Sequence, residues 1–249
     1  MIELTSVSHA EDSGYQAIKD IALITRQAGI DYRLIGGHMV TMLAAYQGVT
    51  DPPARETADA DLGASLSAIS DPALPKTLRQ HGYSQPGASN RFVRDLGSGR
   101  EAVIDILGPS YTSAHKPNQH HGELYIDAIP GLSWALSAAP TLIRFTATLT
   151  VGEKVAAEVL VPGPLPALCL KLHAYRARRE AKDVRDIWRL LAVCHQAGIG
   201  PGDWSNSTAT TARQILNQLA ALGSKPLSYH FSERRLRAEF RALAQAVAG

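Results

Sequence analysis

Two aspartates, Asp59 and Asp61, stand two residues apart in the stretch RETADADLGAS, and a third, Asp105, sits alone inside the apolar run EAVIDILG. On a strand, side chains alternate between faces, so Thr57, Asp59 and Asp61 would share one face. Carboxylates about 6–7 Å apart along one strand face can share or flank a divalent metal. Mg²⁺ favours a few carboxylates plus substrate phosphates over an all-protein cage. Asp105 points opposite to Ile104 and Ile106, so a neighbouring strand could turn it toward the pair. A carboxylate in so apolar a strand is costly unless it is paired or metal-bound. Three carboxylates in one groove suit metal-assisted phosphoryl chemistry. The plainer alternative for Asp59 and Asp61 is a wet strand face or a turn.

Phosphate chemistry also needs a place for the phosphates. Gly36 and Gly37 fall between the end of a strand, DYRLI, and the start of a helix, HMVTMLAAYQG. Glycine there admits a phosphate close to the backbone, and the first helical amides offer unpaired N–H donors at a positive dipole end. A tight turn with unusual dihedrals would also explain the pair.

The elements that must position these residues follow from periodicity. Residues 14–28 carry apolar side chains at helical spacing closed by Gly29. The segment TDPPARE reads as a loop, with Asp51 before two prolines. Residues 72–81 read as a helix with Asp71 as N-cap and Pro72 in the first turn. YSQ, RFVRDL and EAVIDIL read as strands between glycine-rich turns, and LIRFTATLTV and KVAAEVLVP as a strand pair around Gly152. GPSYTSAHKPNQHHGE has turn composition and no period. Helices are expected at 165–180, 183–197, about 206–222 and about 232–247. The fold class is thus α+β, a mixed sheet flanked by helices and followed by a helical C-terminal domain, with the join near VPGPLP. The expected division is 1–163 for the core and 164–249 for the helical part.

Bulk properties narrow the partners. The chain has 249 residues, 45% of them hydrophobic, enough for a sizeable core. The two cysteines, Cys169 and Cys194, lie among apolar neighbours and read as buried reduced thiols, which suits a cytoplasmic setting. The N-terminus lacks a basic start and a long apolar run, so no signal peptide is read. No window reaches ~20 uninterrupted apolar residues, so no membrane partner is expected. Net charge is only +2, but seven Lys/Arg face three acids between Lys171 and Arg189, and four Arg face two Glu from Phe231 onward. Basic helices beside an acidic remainder suggest a polyanion meeting one side of the molecule; a solvated helix face is the alternative. His115, His120 and His121 match no zinc spacing, and no cysteine is near.

With these elements in order, the chain resembles the nucleotidyltransferase superfamily that includes polymerase beta. It is more closely similar to the AbiEii/AbiGii-type nucleotidyltransferase toxins of bacterial type IV toxin–antitoxin systems. The family's run of Arg, Thr or Ser, then Asp-x-Asp at alternate positions is matched by Arg55, Thr57, Asp59 and Asp61. A later helical lysine and a basic-Asp-x-x-Asp element are matched by Lys171 and by Lys182, Asp183 and Asp186. The likeness spans about residues 17–191. One departure is His38, which follows the glycines where many relatives have a serine that contacts phosphate.

The resemblance implies that Asp59 and Asp61 hold Mg²⁺ on a nucleoside triphosphate (NTP), with Asp105 as a further metal ligand or proton acceptor. It implies catalytic roles for Asp59, Asp61, Lys171, Asp183 and Asp186, and nucleotide binding by Gly36, Gly37, Thr57 and Lys171. Asp183 and Asp186 would orient Lys171 or an incoming base, while capping of the helix 183–197 is the structural alternative. The implied reaction is transfer of nucleotides to the 3′ end of tRNA, blocking translation, with a cognate antitoxin as partner. Arg176, Arg178, Arg179 and Arg185, with Arg189 beside them and Arg234, Arg235, Arg237 and Arg241 from the last helix, would then contact RNA phosphates. Tyr175 and Trp188 would stack on a base or pack in the core. Two other readings stay open: a same-fold enzyme acting on a small molecule or protein hydroxyl, and an inactive nucleotide- or RNA-binding module.

Overall fold

Alternation of apolar and polar residues settles into two sheets and a helical layer in the computed structural model, which describes residues 1–50 and 56–249. Arg55 and most of the TDPPARE loop fall outside the described residues. A short strand, β1 (Ile2–Thr5), leads to α1 (His9–Ala28), β2 (Tyr32–Ile35), α2 (Gly36–Tyr46) and β3 (Asp59–Ala64). Two small helices follow, α3 (Leu66–Ser70) and α4 (Ala73–Gln80), then β4 (Arg91–Gly97) and β5 (Arg100–Ser110). The chain continues through β6 (Lys116–His121), β7 (Leu124–Pro130), α5 (Leu132–Ser137), β8 (Thr141–Thr148) and β9 (Lys154–Val161). The last third is helical: α6 (Pro164–Arg178), α7 (Ala181–Gln196), α8 (Ser207–Ala220), α9 (Lys225–His230) and α10 (Arg234–Ala248). The architecture is α+β, with mixed sheets flanked by helices. Among the described residues, no helix is long and apolar enough to cross a membrane.

The larger sheet runs β2-β3-β5-β7-β6, with β4 paired to β5 off this path. β3, β5 and β7 are mutually parallel, and β2, β4 and β6 run antiparallel to their neighbours. β5 is the central strand and is buried on both faces from Ile104 to Ser110. It changes partner along its length, pairing with β4 up to Asp105 and with β7 from Leu107. A cleft therefore opens beside Asp105. The smaller sheet, β1-β8-β9, lies on the far side of α1, which packs on both sheets.

Local chemistry explains the boundaries. α1 starts five residues before its apolar period does. The Ser8 hydroxyl accepts from the Glu11 N–H, and the buried Glu11 carboxylate accepts from Val7 N–H. Acids in the first turn complement the helix dipole. Tyr15, Ile18, Ile21 and Ile24 then form its buried stripe, and a fully buried side chain of this size stabilises by roughly 1.5–3 kcal/mol. Asp71 Oδ1 accepts from Ala73 N–H, fixing the start of α4.

Several elements differ from expectation. The polar segment HKPNQHHGE contains β6, an exposed edge strand whose Pro117 and irregular register at Asn118 keep its outer rim from further pairing. α7 begins at Ala181 rather than Asp183, so Asp183 is a first-turn residue and Glu180 takes the cap position. β1, β7 and the short helices α3, α5 and α9 were not expected. The buried apolar residues of the β-rich part and of the helices after Gly163 form one continuous cluster. Cys169 and Cys194 are buried free thiols within it, and burial pushes both thiols up.

Candidate active site

A cavity of about 410 Å³ lies between one face of the large sheet and the α6–α7 hairpin. Its floor is acidic. Asp59 and Asp61 come from β3, and Asp105 from β5, with Asp61 directly opposite Asp105 in the parallel register. Its roof is basic and carries Lys171 and Arg178 from α6 and Lys182 from α7. Gly36 and Gly37, the first residues of α2, close one wall.

β2 ends at Ile35, which pairs with Asp61, so the first turn of α2 lands on that carboxylate. Gly36 adopts φ +74, and a Cβ there would sit 1.7 Å from Asp61 Oδ2. Only a residue without a side chain fits such a left-handed, crowded position. Asp61 is thereby pressed against the positive end of a helix. Burial first, and then the charges of Asp59 and Asp105, push its carboxyl up to about 7; Lys171 and Arg178 pull the other way.

Two of the roof cations are each held by one acid of α7, and Lys182 pairs with Glu180 before it. Lys171 Nζ lies 2.8 Å from Asp186 Oδ2, and both side chains are almost wholly buried. Arg178 donates from Nε and Nη2 to the two oxygens of Asp183, both at 2.7 Å, while Asp183 itself is fully buried. The Asp183 hydrogen bonds hold the Arg178 guanidinium more firmly charged than usual. Spacing one turn apart on α7 puts the two acids on one face, and each fixes a cation of α6 toward the cavity. This answers the sequence alternative of capping: Asp183 and Asp186 are ion-pair partners in the first turns of α7.

Other expected residues are placed differently. β3 begins at Asp59, so Thr57 lies before the strand; it is buried, with its carbonyl close to Gly14 of α1, and does not line the cavity. Both Asp105 oxygens accept from Arg91, Nε and Nη2 each at 3.0 Å. Asp105 therefore reaches the cavity already paired, and to act as the expected metal ligand it would have to release Arg91. Among the described residues, no group of three His, Cys, Asp or Glu is arranged to hold a metal ion. Asp59 and Asp61 remain, two hard oxygen donors facing a basic roof. That donor set fits one Mg²⁺ completed by phosphate oxygens rather than by protein.

The arginines divide. Arg178 faces the cavity, and Arg185 is exposed on α7. Arg176 and Arg179 line a separate groove of about 330 Å³ with Tyr175 and Gln214. Arg189 is buried and reaches Thr41 of α2 at 3.3 Å, so it is no surface contact for a polyanion. On α10, Arg237 donates to the Phe231 and Ser232 carbonyls and Arg241 to Ala220 and Ala221, at the end of α8. Trp188 and Tyr175 are core residues.

Sequence reasoning gave no place in this cavity to Asp127, His115, His173 or Lys182. Asp127 lies in β7, where LYIDAIP repeats the lone-acid pattern of Asp105, and β7 alternates buried and half-buried residues along its length. His115 Nε2 is 2.9 Å from Asp127 Oδ2 and lines the same cavity. His173 on α6 also lines it, and burial followed by the charge of Arg176 holds its pKa below the ordinary value. Lys182 was noted only as part of a motif.

No family model matches the chain, and no curated protein matches it. Several solved chains are similar, one of them over almost its whole length. It is described as an antigenic nucleotidyltransferase-like protein from Paracoccidioides brasiliensis, and it is 19% identical with a TM-score of 0.47, covering 94% of this chain and 95% of that one. At that distance the function has to be argued from the residues.

Proposed function

We propose that the protein is a Mg²⁺-dependent nucleotidyltransferase that uses a nucleoside triphosphate and modifies the 3′ end of tRNA. The observation that carries the transfer chemistry is the placement of Asp61 against the N-terminus of α2, with Asp59 on the same strand, across one cavity from Lys171, Arg178 and Lys182. Asp59 and Asp61 would hold the metal, which when bound supplies charge neutralisation at the phosphates and polarises the reacting phosphoryl group. Lys171, oriented by Asp186, and Arg178, oriented by Asp183, would take the phosphate tail. Arg178 offers a planar fork and Lys171 a point charge. The α2 amides at Gly36 and Gly37 would hold a further phosphate oxygen. Asp105, held by Arg91 and not needed by the metal, would be the carboxylate left to take the proton of the attacking hydroxyl.

The tRNA acceptor rests on the resemblance to the toxin family, with exposed Arg176, Arg179 and Arg185 as its physical support. A toxin role and a cognate antitoxin come from the same resemblance. The second reading is a same-fold enzyme with a small-molecule or protein hydroxyl acceptor. It is favoured by the small number of basic residues left free once Arg189, Arg237 and Arg241 are spent on internal contacts. Incubation with Mg²⁺, each labelled triphosphate and total tRNA tests both. Label in tRNA, absent with Asp59→Ala and Lys171→Ala, supports the proposal. Label in protein or small molecules supports the second reading, and no label with any triphosphate refutes both.

A further inference from the structure

Arg91 is a further residue beside this site that no motif predicts. It stands on β4 directly opposite Asp105 of β5 in an antiparallel pair. Directly opposed residues on neighbouring strands hold their Cβ atoms about 4.5–5.5 Å apart, so the contact is imposed by sheet register. The guanidinium grips Asp105 through two parallel N–H···O bonds of 3.0 Å. Its Nη2 also lies 3.4 Å from Asp59 Oδ2. One positive group thus bridges carboxylates from two adjacent strands.

Resting on the nucleotidyl-transfer reading above, we infer that Arg91 takes the place of a second metal ion. The site works with a single divalent cation on Asp59 and Asp61, and Arg91 is the positioning residue that keeps Asp105 out of metal coordination. A second ion bridging Asp59 and Asp105 would have to occupy the volume of the guanidinium and face its charge at contact distance. With Asp105 held by Arg91 no third carboxylate is open to a second ion, since Asp127 is already bonded to His115 and to the Asn118 N–H. Arg91 is suited to permanence, since a guanidinium keeps its charge at any pH at which a protein is folded and its planar fork fits a carboxylate. Its side chain is about half exposed, on the wall of a second, more open cavity that also reaches Asp59. From there its free edge can face an incoming acceptor while its inner edge stays on Asp105.

The test counts metal ions on the protein directly. Mn²⁺ is titrated in the presence of a non-hydrolysable nucleoside triphosphate and followed by electron paramagnetic resonance, with free nucleotide as the blank. The wild type is expected to bind one Mn²⁺ per nucleotide-bound chain. Arg91→Gln, which keeps size and polarity but not charge, is expected to bind a second with Asp105 released. Arg91→Lys is expected to return to one. Circular dichroism confirms that the variants are folded. Two ions on the wild type overturn the inference and leave the nucleotidyl-transfer reading standing, and so does a count that stays at one in Arg91→Gln. No Mn²⁺ on the wild-type nucleotide complex removes both.

Discussion

Neutralising Asp61 should make the metal-free protein more stable while removing its activity. The carboxyl moves from 3.8 to about 7 through burial and the charges of Asp59 and Asp105. A raised carboxyl favours the fold below its unfolded value and loses that advantage as pH climbs through its folded value. At pH 5 the fold bears ~1 unit of this penalty and at pH 8.5 the full ~3 units, each unit being ~1.4 kcal/mol. The residue therefore costs about 3 kcal/mol more at the higher pH, and water entering the cavity brings this to about 1–3 kcal/mol. Urea unfolding of wild type and Asp61→Asn, with chelator, at pH 5 and pH 8.5 measures it. The Asn variant should gain on the wild type by that amount between the two conditions, since other titrating groups cancel in the difference. Mg²⁺ should remove the pH slope from the wild type only. A stability gap that does not change with pH, or a variant weaker than wild type at pH 8.5, would show that the acidic floor is not under electrostatic strain.

Gly36→Ala should lower turnover at least tenfold and cost about 1–3 kcal/mol in thermal unfolding, because the new methyl would meet Asp61 at 1.7 Å in a left-handed backbone position. Asp186→Ala should destabilise by about 3–5 kcal/mol by stranding the buried Lys171 charge, and the double variant with Lys171→Met should recover most of the loss in the same denaturation assay. Arg178→Lys should raise KM for the triphosphate more than it lowers kcat, since the two-pronged grip on Asp183 that aims the group is lost. Arg185→Ala should lower tRNA binding and flatten its salt dependence without changing Tm, whereas Arg189→Ala should lower Tm by several degrees.

The acidic floor could be read from the chain because strands declare it. Asp59 and Asp61 alternate, and Asp105 interrupts a Val/Ile run, so period and cost point to one face. The glycine turn was legible for the same local reason, through the strand before it and the helix after it. What stayed hidden depends on register between distant strands. Nothing near Arg91 says that it will oppose Asp105, because that follows from the length of the hairpin joining β4 to β5. Thr57 looked like a continuation of the alternation, yet β3 begins two residues later and Thr57 is buried elsewhere. β6 escaped because an edge strand needs no apolar face; β7 lies beside it and carries Asp127 into the cavity. The arginines were over-assigned to a surface. Composition counts charges, but only packing tells Arg189, turned inward to Thr41, from Arg185, turned outward.

The two ion pairs that tie α6 to α7 have a mechanical meaning. Sliding one helix along the other by a single turn, ~5.4 Å, would tear Lys171 and Arg178 from acids that have almost no access to water. The hairpin is consequently a stiff bracket with its charged prongs at a set pitch. If the proposed triphosphate enters beneath it, it would meet a ruler already cut to length, and selection among nucleotides would have to come from the walls around that ruler rather than from any stretch in it.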